Sequence, residues 1–349
     1  MVDGWWKGAV CSLDKKQHRA ALAQQEILTK PPGSLGKLEQ LPPLLASMQR
    51  REKPQIGHPW ITIFAADHGV AQQGVSAFPQ AVTAEMVRNF SAGGAAIAVL
   101  AHHLGATLEV VNVGTVSEVE PLQGVIDRRI AAGTEDFTQA EAMVREQLEQ
   151  ALTLGREAVT RAQTAGADLY IGGEMGIANT TSAAAVAAAL LGAGGAVVAG
   201  AGTGLDLAGV ERKAAVIQQG LDRHAGELGD PLSILQRLGG FEIAALVGSY
   251  IAAAQQGLPL LIDGFITSVA ALAAARIAPE VRNWMLFSHR SAEQGHGAVL
   301  RALDAEPLLD LEMRLGEGSG AAVAVPLLQQ ACWLHAEMAT FTGAGISRG

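Results

Sequence analysis

Two glutamates, Glu174 and Glu317, lie among glycines in the segments GGEMG and GEGSG. Because glycine has no side chain to shield a neighbouring carboxylate, such a group can project into a cleft and act as a general base. The segment around Glu317 is equally typical of an acidic helix start, where the helix dipole favours a negative charge. A plain turn with a helix cap explains Glu174 less well, since neither requires a carboxylate. We therefore take both glutamates as candidate catalytic residues.

Glycines and hydroxyl groups also predict a site for an anion. Asn179 and Thr180 follow the first glycine-rich segment at the start of a predicted helix, where backbone N–H groups attract phosphate. The same two residues also fit a simple helix cap. A second glycine-rich turn at 200–204 precedes Lys213, but it lacks the lysine-serine ending of a P-loop and the spacing of a dinucleotide fingerprint. The Ser291 hydroxyl is a further candidate hydrogen-bond donor to a phosphate.

The histidine and cysteine spacing gives no sign of a metal site. The two cysteines lie at opposite ends of the chain without a CxxC pair, and 288–296 lacks the HExxH order. We expect no metal and no other cofactor. A metal-dependent hydrolase that uses Asp67, His68 and His289 is a weaker alternative.

The composition excludes several classes of protein. Of 349 residues, 49% are hydrophobic and 17% charged, which is too apolar for a disordered chain. A net charge of −9 and 4% aromatic residues make nucleic acid a poor partner. The uncharged stretch 175–205 is broken by polar residues and glycines, so we expect a buried helix at 181–191 and a strand at 196–199, not a membrane span. The N-terminal residues lack the apolar run of a signal peptide, which favours a cytoplasmic protein.

Short apolar runs alternate with helical patterns along the middle of the chain. Runs that are apolar throughout suit strands covered on both faces of a parallel sheet. The predicted strands are 61–64, 107–113, 169–171, 196–199, 258–262 and 285–287. The clearest helix is predicted over 138–164, with a capping box of Thr138 and Glu141. Since ligands bind at the carboxyl ends of strands in such sheets, the polar residues that follow the runs are expected to form one site.

The fold class expected from this alternation is α/β, a Rossmann-like and mostly parallel sheet flanked by helices. The sheet belongs to a large nucleotide-binding domain at 51–300. The two chain ends, 1–50 and 301–349, have helical patterns and predict a small helical domain built from both termini.

Seven segments in a fixed order resemble one known family. They are Lys30-Pro-Pro-Gly-Ser-Leu-Gly-Lys-Leu-Glu39, Ala66-Asp-His-Gly-Val70, residues 172–181, Gly239-Gly-Phe-Glu242, Leu261-Ile-Asp-Gly-Phe265, residues 288–293 and Arg314-Leu-Gly-Glu-Gly-Ser-Gly320. In this order they look like the nicotinate-nucleotide–dimethylbenzimidazole phosphoribosyltransferase family, over about residues 30–335. The combination is much more specific than any one of the segments.

The resemblance implies a reaction and an assembly. The family transfers the phosphoribosyl group from nicotinate mononucleotide to 5,6-dimethylbenzimidazole, with inversion at the ribose C1′, and releases nicotinate and α-ribazole 5′-phosphate. It does so as a homodimer without a metal. A non-catalytic nucleotide sensor, or the same transfer to adenine, a phenol or another benzimidazole, stays open as an alternative.

The resemblance also assigns residues to roles. Glu317 matches the catalytic base and Glu174 the second acid. The base pocket would be lined by Phe78, Met86 and Leu315. The remaining expected substrate-binding positions surround the phosphate and ribose, and they are Gly176, Asn179, Thr180, Gly202, Lys213, Asp263, Gly264, Ser291 and Gly320.

Overall fold

The computed structural model describes residues 4–202 and 204–347. Thr203, in the predicted glycine-rich turn, lies outside these residues, as do both chain ends. Six strands of the described chain form one sheet: β1 (Pro59–Ala66), β2 (Thr107–Gly114), β3 (Val125–Asp127), β4 (Leu169–Met175), β5 (Leu260–Ile262) and β6 (Met285–Phe287). Every neighbouring pair in the order β3-β2-β1-β4-β5-β6 is parallel, which confirms the predicted fold class.

Helices connect and cover these strands. The α-helices of the described residues are α1 (Lys15–Ile27), α2 (Leu41–Gln49), α3 (Ala81–Ser91), α4 (Ala96–Leu104), α5 (Arg145–Thr164), α6 (Asn179–Leu191), α7 (Gly195–Val198), α8 (Leu207–Arg223), α9 (Pro231–Leu238), α10 (Phe241–Gln256), α11 (Phe265–Ile277), α12 (His296–Ala302) and α13 (Ser319–Glu337). The long apolar helix α10 packs against α5 and against four strands of the sheet, and it is buried along almost its whole length. The core therefore lies between the sheet and its covering helices.

Two predictions from the sequence are wrong, one for residues 196–199 and one for the start of α5. Residues 195–198 form the short helix α7, which packs against α6 and α8, and not a strand. Periodicity cannot separate a four-residue apolar strand from a buried helical turn, and the place beside β4 in the sheet is taken by β5.

The second error concerns the start of α5. The Thr138 N–H and hydroxyl both donate to Asp136 within a separate turn. The helix begins only at Arg145, where the Gln147 side chain accepts a hydrogen bond of 3.0 Å from the Val144 N–H. Thr138 and Glu141 therefore do not form the predicted capping box: Thr138 belongs to a local turn, and the Glu141 carboxylate accepts hydrogen bonds from Gln236 and Arg237 on α9.

The strand order creates a crevice at the carboxyl edge of the sheet. The chain passes from β1 to β2 on one side and places β4 on the other, so the connections diverge between β1 and β4. In doubly wound sheets, ligands bind at this switch point. Strands β4, β5 and β6 end beside it and lead into the polar segments that the sequence analysis singled out.

The two chain ends meet in the structure. Helices α1 and α2 pack against each other, α13 packs against α2, and an isolated antiparallel bridge joins Leu28 to Thr340. The division of the chain into two domains stays a prediction. Across residues 4–202 and 204–347, no helix has the length and apolar character needed to span a membrane.

Candidate active site

A cavity of about 520 Å³ opens at the carboxyl edge of β4 and β5. It brings together nearly all of the residues that the sequence analysis assigned to catalysis and substrate binding. Those in its lining are Phe78, Met86, Glu174, Gly176, Asn179, Thr180, Gly202, Asp263, Gly264, Ser291, Leu315 and Glu317. Lys213 and Gly320 lie behind the lining.

Glu174 and Glu317 reach the cavity from adjoining backbone segments. Glu174 lies near the end of β4, and Glu317 lies just before α13 with a left-handed φ of 65°. A Cβ atom at Gly173 would be 2.5 Å from the Glu317 carbonyl oxygen, so only glycine permits this approach. A Cβ atom at Gly316 would similarly lie 2.5 Å from Glu174 Oε1. The glycines around the two glutamates therefore allow the two catalytic candidates to sit side by side.

Both glutamates are buried, and their environment favours the neutral form. The pKa of Glu174 is raised well above its usual value by burial first, and then by the negative charges of Glu242 and Asp263. The Asn179 amide donates a hydrogen bond to Glu174 Oε2 and opposes this shift. Burial also raises the pKa of Glu317, whereas the Ile97 N–H at the start of α4 favours its charged form. Glu317 Oε2 is buried without a hydrogen-bond partner among the described residues.

Asp263 follows β5 and is tied to the start of α13. Its Oδ1 atom accepts a hydrogen bond of 2.7 Å from the Ala321 N–H. His289 Nε2 lies 3.7 Å from the same oxygen, and no room exists for a side chain at Gly320, where a Cβ atom would be 2.1 Å from the His289 ring. Burial raises the pKa of Asp263, and His289 lowers it. Gly320 thus contributes through the close packing of these groups.

Lys213 lies behind Thr180 and Gly202, which line the cavity. Its Nζ atom donates hydrogen bonds to Thr180 Oγ1 at 2.8 Å and to the Gly200 carbonyl at 3.3 Å. Burial lowers the pKa of Lys213 to about 8, and the charge of Glu293 acts in the opposite direction. A Cβ atom at Gly202 would lie within 3 Å of both Lys213 Nζ (2.9 Å) and Thr180 Oγ1 (2.7 Å). The lysine ammonium, the threonine hydroxyl and the glycine backbone therefore lie together beside the cavity.

Apolar side chains line the same cavity. Phe78 and Leu315 are more than half exposed, at 53% and 59%. Met86, Val82 and Ile177 are also part of the lining. An apolar lining beside buried carboxylates suits an aromatic heterocycle that has one polar edge.

Sequence reasoning missed some residues of the lining. Arg314 also contacts the cavity and donates a hydrogen bond of 3.3 Å to the Gly202 carbonyl, which links the glycine-rich turn to the loop of Glu317. Its position directly before Leu315 in a recognised segment was the available signal. His289 and Glu293 line the cavity as well. His289 was predicted only as a metal ligand of the hydrolase alternative, and Glu293 was assigned no role within the segment 288–293.

Asp67 and His68 lie beneath the cavity and not in its lining. Both are buried, and their side chains bind protein groups on α3, α6 and α10. Within the described chain, no group of three histidine, cysteine or acidic residues has the arrangement of a metal site. The use of their polar atoms by protein partners argues against Asp67 and His68 as ligands of a hydrolase metal.

Known proteins resemble this chain over nearly its full length. The phosphoribosyltransferase family model matches residues 10–346. Relatives from Azotobacter vinelandii and Pseudomonas aeruginosa, named nicotinate-nucleotide–dimethylbenzimidazole phosphoribosyltransferase, are 58% identical over 99% of both chains and 57% identical over 98% of both chains, respectively. A crystal structure of an enzyme of this name from Thermus thermophilus superposes with a TM-score of 0.91 at 43% identity, covering 97% of this chain and 100% of that one.

The family match, on a doubly wound parallel sheet with a cavity at its switch point, identifies the chain as an α/β phosphoribosyltransferase. The chain is therefore an enzyme of the pentosyltransferase class. More particularly, the chain belongs to the nicotinate-nucleotide–dimethylbenzimidazole phosphoribosyltransferase family.

Proposed function

We propose that this chain transfers the phosphoribosyl group of nicotinate mononucleotide to 5,6-dimethylbenzimidazole. The products are nicotinate and α-ribazole 5′-phosphate, which serves the assembly of the nucleotide loop of cobalamin. The observation that carries the proposal is the buried, unpartnered Oε2 atom of Glu317 in an apolar-lined cavity of the described chain. A carboxylate acceptor in such a slot matches the N–H edge of a benzimidazole.

The chemical step is a displacement at the ribose C1′. One imidazole nitrogen attacks C1′ while the bond from C1′ to the pyridine nitrogen of nicotinate breaks, and its electron pair stays on that nitrogen. As positive charge spreads over the imidazole ring, the other N–H becomes acidic. The Glu317 carboxylate orients this N–H and accepts the proton, which makes it the general base.

Glu174 acts on the charge that develops in the sugar. C1′ has oxocarbenium character when the nicotinate leaves, and a fixed carboxylate nearby stabilises that positive charge. The hydrogen bond from Asn179 holds one oxygen of Glu174 in place. Burial raises the pKa of Glu174, and this hydrogen bond, together with the positive charge of the pyridinium ring in the bound nucleotide, opposes that rise and favours the ionised form that the proposal requires. Catalysis by Glu174 is therefore electrostatic in this proposal, and the proton transfer belongs to Glu317.

The phosphate and ribose bind on the polar side of the cavity. The Lys213 ammonium supplies the positive charge and lies next to the Thr180 hydroxyl. The negative charge of a phosphate bound there compensates for the hydration that the buried ammonium has lost. The phosphate thereby raises the pKa of Lys213 from about 8 toward its ordinary value. The other proposed contacts are Gly176, Asn179, Gly202, Asp263, Gly264, Ser291 and Gly320, and the base contacts are Phe78, Met86 and Leu315.

The deciding experiment mixes the purified chain with nicotinate mononucleotide and dimethylbenzimidazole and measures both products by chromatography. Stoichiometric nicotinate and α-ribazole 5′-phosphate are expected, and the rate is expected to persist in excess EDTA. Tight nucleotide binding without nicotinate release would instead identify a sensor. Loss of the rate in EDTA with recovery on adding a divalent metal would favour the hydrolase alternative.

Three further proposals concern the assembly, the location and the domain division of the chain, and the first of them rests on the family resemblance. The chain works as a homodimer, it resides in the cytoplasm, and its ends at 1–50 and 301–349 form a small helical domain beside the nucleotide-binding domain. Light scattering coupled to size-exclusion chromatography tests the first. A mass of one chain, 36.1 kDa, at micromolar concentration would contradict it.

A further inference from the structure

Asp67 and His68 follow β1 directly and are fully buried, yet the chemistry proposed above does not use them. Through Ser182 and Thr83 they connect to the first turn of α6 and to the turn between β4 and α6, residues 176–178. This turn joins Glu174 to Asn179 and Thr180, so its shape sets the positions of three site residues. The two consecutive residues reach the turn by separate routes.

The turn has a conformation that it does not adopt freely. Ala178 has a left-handed φ of 74°, which costs a residue with a Cβ atom free energy. Gly176 passes so close to β1 that a Cβ atom there would be 2.3 Å from the Ala66 carbonyl oxygen. Such a conformation persists only where surrounding contacts hold it.

Asp67 holds one end of the turn through Thr83 on α3. The Thr83 hydroxyl donates a hydrogen bond of 2.6 Å to Asp67 Oδ1 and accepts one of 3.1 Å from the Ile177 N–H. The second oxygen of Asp67 accepts from the Val116 N–H at 2.8 Å, which fixes the carboxylate against the loop after β2. The Ile177 N–H, one residue before the strained Ala178, is therefore connected to β1.

His68 holds the other end through α6. Its Nδ1 atom lies 2.9 Å from the Ser182 hydroxyl, and its Nε2 atom lies 2.8 Å from Glu242 Oε1. Ser182 lies three residues after Asn179, so this contact fixes the first turn of the helix. Because all three side chains are fully buried, this chain of hydrogen bonds is not exchanged with water.

We propose that Asp67 and His68 are positioning residues, which act through Thr83 and Ser182 to hold the strained β4–α6 turn in the shape that binds nicotinate mononucleotide. They touch no reacting atom. The proposal rests on the proposed function only for the identity of the ligand. Loss of the hydrogen bonds made by Thr83 or by Ser182 relaxes the turn and moves Asn179 and Thr180 away from their binding positions.

Two pairs of variants test the two routes. Thr83→Val removes the hydroxyl at nearly constant shape, whereas Thr83→Ser keeps it. Ser182→Ala removes the contact with His68, and Ser249→Ala is the matched control, a fully buried serine whose hydroxyl donates to Leu246 of its own helix. For each variant, the dissociation constant of nicotinate mononucleotide is measured by calorimetry, the KM and kcat by nicotinate release, and the melting temperature by circular dichroism.

Thr83→Val and Ser182→Ala are expected to weaken nucleotide binding about fivefold to tenfold, the effect of losing a hydrogen bond. Thr83→Ser and Ser249→Ala are expected to stay within about twofold of the parent. If Thr83→Val does not fold, the milder Ser182→Ala decides. Lower melting temperatures with unchanged dissociation constants would overturn the proposal, because they show a purely structural role. Parent protein that binds the nucleotide but releases no nicotinate would refute the proposed function and leave the binding comparison valid.

Discussion

The Lys213 ammonium donates a hydrogen bond of 2.8 Å to the Thr180 hydroxyl from a buried position behind the cavity. A lysine on α8 is thereby joined to the first turn of α6 beneath the proposed phosphate subsite. Because burial disfavours the ammonium, we expect a phosphate ligand to recover the charge stabilisation that it loses.

We predict that Lys213→Met raises the KM for nicotinate mononucleotide by about tenfold to a hundredfold, the worth of a hydrogen bond to a charged group. The matched ligand is nicotinate riboside, which lacks the phosphate. Its dissociation constant is expected to change less than that of the nucleotide. Equal losses for nucleotide and nucleoside would place Lys213 away from the phosphate, and Lys53→Met, at an exposed lysine, controls for loss of a positive charge.

Glu317→Gln tests the general base. The amide keeps the shape of the side chain but cannot accept the benzimidazole proton, so kcat is expected to fall by at least about 10²-fold. The KM for nicotinate mononucleotide is expected to change little, because Glu317 is proposed to contact the acceptor base and not the nucleotide. A correctly folded Glu317→Gln protein with nearly normal nicotinate release would show that another group takes the proton.

The pH dependence of kcat follows from the raised pKa values of Glu317 and Glu174. Both must be ionised in the proposed mechanism, so kcat falls as the pH falls through these pKa values, at a higher pH than for an ordinary glutamate. Asp263→Asn removes a negative charge that raises the pKa of Glu317 and is expected to move the acid limb to lower pH. The amide oxygen can still accept from the Ala321 N–H.

Glu306→Gln is the control for that pH profile, because this exposed glutamate pairs only with Lys37 among the described residues. Its acid limb is expected to match that of the parent. A limb that does not move in Asp263→Asn, or that moves equally in Glu306→Gln, would mean that Asp263 does not act on the base.

The site residues that follow strands were predictable from the sequence, whereas the buried contacts behind the cavity were not. Apolar runs ending in Glu174 or Asp263 fix where the carboxyl edge lies, since parallel strands end together. The burial of Lys213 depends on how α8 packs on α6, and no local pattern encodes that contact. The relay from Asp67 through Thr83 to Ile177 joins three distant parts of the chain, and so it appears only in the folded structure.

The choice of acceptor base gives the last prediction. Apolar side chains such as Val82, Met86 and Ile177 line the cavity, and each buried methyl group contributes about 0.8 kcal/mol. Dimethylbenzimidazole is therefore expected to exceed unsubstituted benzimidazole in kcat/KM by about tenfold, and adenine and phenol by more. A competition assay with one phosphoribosyl donor and all four bases measures these ratios from the products. Met86→Ala is expected to reduce the preference for the methylated base, whereas Val99→Ala, at an exposed valine on α4 outside the lining, is not. Equal product from benzimidazole and its dimethyl form in the parent protein would show that these side chains do not enclose the methyl groups.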